Sequence, residues 1–93
     1  MNKTEARAIL AQHLREYREK AYADLLYLLH EQDNLEVAGP SGTWYQLEFL
    51  AVWDDRQEAN LRVIGSIDDG GVRAFFPLTD GFIMAPDGSL VGE

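Results

Sequence analysis

The side chains able to do chemistry in this 93-residue chain are acids in loops, two histidines and a few serines. Asp54, Asp55 and Glu58 share one polar stretch, and Asp68 and Asp69 precede Gly70-Gly71. A calcium loop of the EF-hand kind needs oxygen ligands at positions 1, 3, 5 and 12 around a central glycine, and neither stretch has that spacing. These acids read as solvated turn residues, and no metal site is expected. Gly70-Gly71 opens an extended segment rather than a helix, so it does not form a phosphate cradle, and no nucleotide fingerprint is present.

Nucleophilic and acid–base chemistry is poorly supplied. With no cysteine, thiolate catalysis, thiolate metal sites and disulfides are all excluded. His13 and His30 fall seventeen residues apart on a predicted helix, roughly 25 Å if it is straight, too far to share a site. His30, near the expected C-terminus of that helix, suits its dipole. Ser41, Ser66 and Ser89 carry no nucleophile-elbow pattern. A non-enzymatic protein without a cofactor is therefore expected.

Charge narrows the partners. Sixteen acids against eight bases give a net charge of −8, which repels nucleic acid and anionic membranes and attracts basic partners. The longest apolar run, around 22–29, is broken by Asp24 and too short to span a bilayer, and the N-terminus has no apolar signal core. The expected compartment is the cytoplasm.

The elements that must position any site follow from hydrophobic period. The length indicates one domain, 1–93. Ala6, Leu10, Leu14, Tyr17, Ala21, Leu25 and Leu28 recur at steps of three and four, which predicts one helix over 3–31. Asn2 followed by Glu5 has the form of a capping box. Arg15 with Glu19, and Glu16 with Lys20, have the i,i+4 spacing of ion pairs. The remainder, 35–93, reads as β-rich. A short extended segment at 34–39 and a turn at 40–42 lead into a long strand at 43–54. There Tyr45, Leu47, Phe49, Ala51 and Trp53 fall at alternate positions, with Gln46, Glu48 and Asp54 among the residues between them. Further strands are expected at 59–67, 72–76 and 81–85. The predicted fold is α+β, one long N-terminal helix packed on an antiparallel meander of four or five strands.

Asp69-Gly70 suits a two-residue type I′ hairpin turn. That turn would set Ile67 against Val72, Gly65 against Ala74, Val63 against Phe76 and, on the outward face, Ile64 against Phe75. Inward residues would meet inward residues throughout. Thr79-Asp80-Gly81 would connect strands, and Pro86-Asp87-Gly88 reads as a proline-led turn.

Two surfaces stand out as candidates. Leu50, Val52, Ile64 and Phe75 fall on the outward face of the predicted sheet, with Trp44 near one end. Such a patch fits a protein partner or a second copy of the chain. Tyr17, Tyr45, Phe49 and Trp53 would line either a helix–sheet cleft for a small apolar ligand or the core itself. The order helix, short strand, long strands, together with Val37 and Gly39 in "LEVAGPSGTWYQLEF" (35–49), resembles the cystatins, whose first inhibitory hairpin reads Gln-x-Val-x-Gly. That resemblance implies a helix lying across a curled sheet and, as its functional counterpart, protease inhibition. Leu35 stands in place of the glutamine, no N-terminal arm carries the family's glycine, and the Pro-Trp of its second loop is missing.

Overall fold

A computed structural model describes residues 1–71 and 76–93. Helix α1 (Lys3–Arg18) is followed by a one-turn helix α2 (Tyr22–Leu25), a 3-10 helix (Leu26–Leu29) and strands β1 (Asp33–Ala38), β2 (Trp44–Asp55), β3 (Asn60–Asp68) and β4 (Leu78–Met84). The strands form one antiparallel sheet in the order β1-β2-β3-β4, a meander with α1 across one face. The fold is α+β, as the hydrophobic periods require.

Helix α1 starts as its sequence dictates. Asn2 Oδ1 accepts the Glu5 backbone N–H at 3.0 Å, satisfying one of the unpaired donors of the first turn. Ala6, Leu10, Leu14 and Tyr17 are buried. The helix ends much earlier than the continuous period predicts. It stops at Arg18, Ala21 takes an extended conformation, and the chain restarts as the short helices. No glycine or proline marks the break, and tertiary packing accounts for it. A straight helix over 3–31 would be roughly 40 Å long, as long as the whole molecule's longest axis of 41 Å. It would carry Leu25 and Leu28 off the sheet. The break turns them back into the core, and the Tyr22 hydroxyl then donates to the Ala59 carbonyl at 2.8 Å. Neither anticipated ion pair, Arg15–Glu19 or Glu16–Lys20, forms among the described residues: Arg15 donates to Gln12, and the Lys20 ammonium lies 6.0 Å from the centre of the Tyr17 ring.

The helix-facing side of the sheet is the core. Tyr45, Leu47, Phe49 and Ala51 of β2 lie beside Leu61, Val63 and Ile67 of β3 and Phe82 and Met84 of β4. Gly65 opens the space under Phe49 and Leu10. A Cβ there would come within 2.6 Å of the Phe49 ring and 2.9 Å of Leu10.

The register of β3 corrects the hairpin reading. Ile67 pairs with Leu78, Gly65 with Asp80, Ile64 with Gly81 and Val63 with Phe82. Val63 therefore faces Phe82 rather than Phe76. Val72, Arg73, Ala74 and Phe75 lie outside the described residues, and Phe76 is a bend residue outside any strand. Both 72–76 and 78–84 place apolar side chains at alternate positions, so alternation cannot choose between them. The second segment brings Phe82 and Met84 into the core. Thr79-Asp80-Gly81 consequently lies inside β4. Asp68 and Asp69 close local turns onto the Gly70 and Gly71 amides. Pro86-Asp87-Gly88 does turn the chain, with Gly88 N–H donating to Ala85 O at 2.8 Å. The returning segment bridges Leu90 to Met84 along the outer edge of β4.

Candidate functional site

Four places could carry function: two hydrogen-bonded carboxylates, the outer face of the sheet, and a groove between α1 and β1.

The first carboxylate is Glu5. Its side chain turns away from the helix end and accepts the Ser41 N–H at 2.8 Å, the Ser41 hydroxyl at 2.6 Å and the Tyr45 hydroxyl at 2.8 Å. The donors from Ser41 hold its pKa below the ordinary carboxyl value. A carboxylate so supplied with donors is a poor base. It ties the first turn of α1 to the β1–β2 turn. The second is Asp33 at the start of β1, whose Oδ2 accepts both the Tyr17 hydroxyl and the Tyr27 hydroxyl, the latter at 2.6 Å. Burial, and then the adjacent Asp33, push the Tyr17 phenol well up and the Tyr27 phenol up to about 12. Both phenols therefore stay protonated at neutral pH and act as donors. They clasp the 3-10 helix and α1 to the edge strand. His13 lies with Nδ1 3.0 Å from the Ile9 carbonyl and its ring stacked 6.1 Å from that of Phe49. Among the described residues no group of three His, Cys, Asp or Glu side chains could hold a metal, and no helix is long and apolar enough to cross a membrane.

The aromatic residues considered for a cleft lie in the core. Tyr45 and Phe49 are fully buried and Tyr17 is 6% exposed, its ring 4.5 Å from that of Phe49. Trp53 is half-buried against the same core. None of the first three lines an open cleft. The open groove, about 720 Å³, lies to one side, where the flank of α1 (Ala8, Ile9, Gln12, His13) faces Val37 and the turn residues Pro40 and Ser41. Helix α1 packs mainly over β3 and β4, which leaves the helix-facing side of β1 partly open and Leu35 39% exposed. Ala8 and Ile9 lie beside the main apolar stripe of α1, and nothing in the helical period reveals which flank the sheet leaves uncovered.

The outer face gathers most of the residues named for an interface. Leu50 lies directly opposite Ile64, and Val52 opposite Arg62. Arg62 in turn pairs across to Ile83, and its guanidinium is held by Asp54. Leu50, Val52, Ile64 and Ile83 thus form one apolar group. Val91 adjoins it, its N–H donating to the Ile83 carbonyl at 2.8 Å. Trp44 is on the same face and 64% exposed, but Gln46 and Glu48 separate it from Leu50 along β2. Phe75 is outside the described residues. Ile83 and Val91 escaped the sequence reading because their place depends on β4 being the neighbour of β3.

Comparison with family models, with curated proteins and with solved structures gives no match.

Proposed function

We propose that this chain is a non-enzymatic protein-interaction module that associates with a second copy of itself through the outer face of its sheet. The observation that carries this reading is the apolar group Leu50, Val52, Ile64 and Ile83 on the sheet face away from α1, flanked by the 3-10 helix at Leu50 and Val52 and by the C-terminal segment at Ile64 and Ile83. Val52 is 43% exposed. Apolar groups of this kind on small domains mark interaction surfaces, and an isologous pairing of two sheet faces closes after one partner. The two carboxylate clasps add support, since their hydrogen bonds are spent on fastening elements together.

Binding of a small apolar ligand is the second reading. It moves from the aromatic residues of the core to the groove lined by Ala8, Ile9 and Val37. A cystatin-like inhibitory role ranks third, because Ser41 at the tip of the β1–β2 turn is tied back to Glu5 rather than presented outward.

Sedimentation equilibrium tests the leading reading. The unaltered chain is expected to dimerise, and Leu50→Asp or Ile64→Asp to remain monomeric with an unchanged circular dichroism spectrum. A monomer at the highest attainable concentration removes the self-association reading.

A further inference from the structure

The two edges of the sheet are treated differently. Along β4 the C-terminal segment returns, with Leu90 bridged to Met84 and Val91 bonded to Ile83. The part of β2 that extends beyond β1 faces the 3-10 helix and the residues after it. The outer edge of β1 has no such cover among the described residues: it is the last strand on its side, and Asn34, Leu35, Glu36 and Ala38 are all exposed. An uncovered edge presents a row of backbone donors and acceptors to any extended chain.

We propose that β1 takes up an extended segment of a basic partner protein as a fifth strand. Alternate residues of that segment are apolar and enter the α1–β1 groove. The residues between them are lysine or arginine and lie on the outer face beside Glu36. Backbone pairing supplies affinity and the alternate pockets supply specificity, as in other strand additions. The geometry sets the alternation. Leu35 and Val37 point to the helix-facing side, where Val37 meets Ala8 and Ile9 across the groove. Asn34 and Glu36 point to the other side, with Glu48 of β2 directly opposite Asn34. A basic side chain beside Glu36 gains a cross-strand charge pair. The net charge of −8 favours the approach of such a segment.

A second copy fits this edge badly. Antiparallel self-pairing of β1 that keeps both helix layers on one side sets Glu36 against Glu36 when centred there and Asp33 against Val37 when centred on Leu35, while centring on Val37 overlaps only residues 36–38 of the strand. In the first two registers like charges, or a charge and an apolar residue, meet directly. The carboxylates that discourage self-pairing leave the edge open to a basic strand. The proposal is independent of dimerisation, since the outer-face residues Leu50, Val52, Ile64 and Ile83 belong to the far side of β2, β3 and β4.

The test is titration of the isotopically labelled full chain with a blocked seven-residue peptide of alternating lysine and valine, followed by backbone amide spectra and hydrogen exchange. Shifts are expected at 33–38 and at Thr4, Ala8 and Ile9, with slowed exchange of β1 amides. A peptide of the same composition with its valines consecutive should bind at least about tenfold more weakly. Glu36→Lys should weaken the alternating peptide about tenfold and make an alternating glutamate–valine peptide the better ligand. Equal binding of both lysine–valine peptides reduces the effect to bulk charge attraction and overturns the proposal. So do shifts confined to the outer face, or no saturation at millimolar peptide. Dimerisation is read separately by sedimentation, so either idea can fail alone.

Discussion

At the level of single residues, two kinds of close fit decide what the chain tolerates. Glycines 65 and 81 mark contacts that no side chain could share. At Gly65 an added Cβ meets the Phe49 ring at 2.6 Å; at Gly81 it meets the Val63 carbonyl oxygen at 2.2 Å. A ring can tilt, but a paired backbone carbonyl cannot move without breaking the β3–β4 ladder. Gly65→Ala is therefore expected to cost about 1–3 kcal/mol and Gly81→Ala more than that, measured by urea unfolding. The second fit is electrostatic. The pKa of Glu5 is lowered in the folded chain, so its contribution is present above the ordinary carboxyl value of 4.5 and is lost as pH falls through the folded-state value. Glu5→Gln should be less stable than the unaltered chain at neutral pH. That difference should shrink steadily as the pH drops below 4.5. A difference independent of pH would show that the Ser41 and Tyr45 contacts act through shape alone.

Among the elements, the restart after α1 lacks a side-chain cap. Ala21 occupies the N-cap of α2 with no side-chain oxygen to accept the exposed amides, while Asp24 stands three residues on. Ala21→Ser supplies that acceptor, and a gain of about 0.5–1 kcal/mol in thermal or urea unfolding is expected. A loss would mean that the methyl group is needed where it is. The same junction shows how far the chain's pattern could be read. The stripe Ala6, Leu10, Leu14, Tyr17 and the alternation Tyr45, Leu47, Phe49, Ala51 each name a buried face correctly, because period alone decides which side of an element is apolar. Period is silent on whether a helix bends between two apolar stretches. Leu25 and Leu28, both beyond the break, satisfy the stripe whether or not the helix continues to them. It is equally silent on which of two alternating segments pairs with β3. For the outer face, even-numbered positions sufficed to identify Leu50, Val52 and Ile64. Ile83 needed the true register, and the groove needed the lateral placement of α1, which no local pattern encodes.

For the molecule as a whole, charge and apolar surface act against each other. Two copies meeting by their outer faces bury Leu50, Val52, Ile64 and Ile83 on each side, yet bring together two chains of net charge −8. Arg62 lies between Val52 and Ile83 within the group and is paired with Asp54, so the local field there is close to balanced and the repulsion comes mainly from more distant acids. Repulsion between separated exposed charges is screened over roughly 10 Å at about 0.1 M salt and over about 3 Å at 1 M. Apolar burial is not weakened by salt in the same way. Dimerisation by this face should therefore strengthen as sodium chloride rises from low to high concentration. A pairing that depended on charge attraction, such as a basic strand on β1, should weaken over the same range. Sedimentation velocity of the unaltered chain across a salt series, alongside Ile64→Asp, separates the two. Association that grows with salt and disappears in Ile64→Asp is the expected result. Association that falls with salt, or that survives Ile64→Asp, would place the contact on another surface.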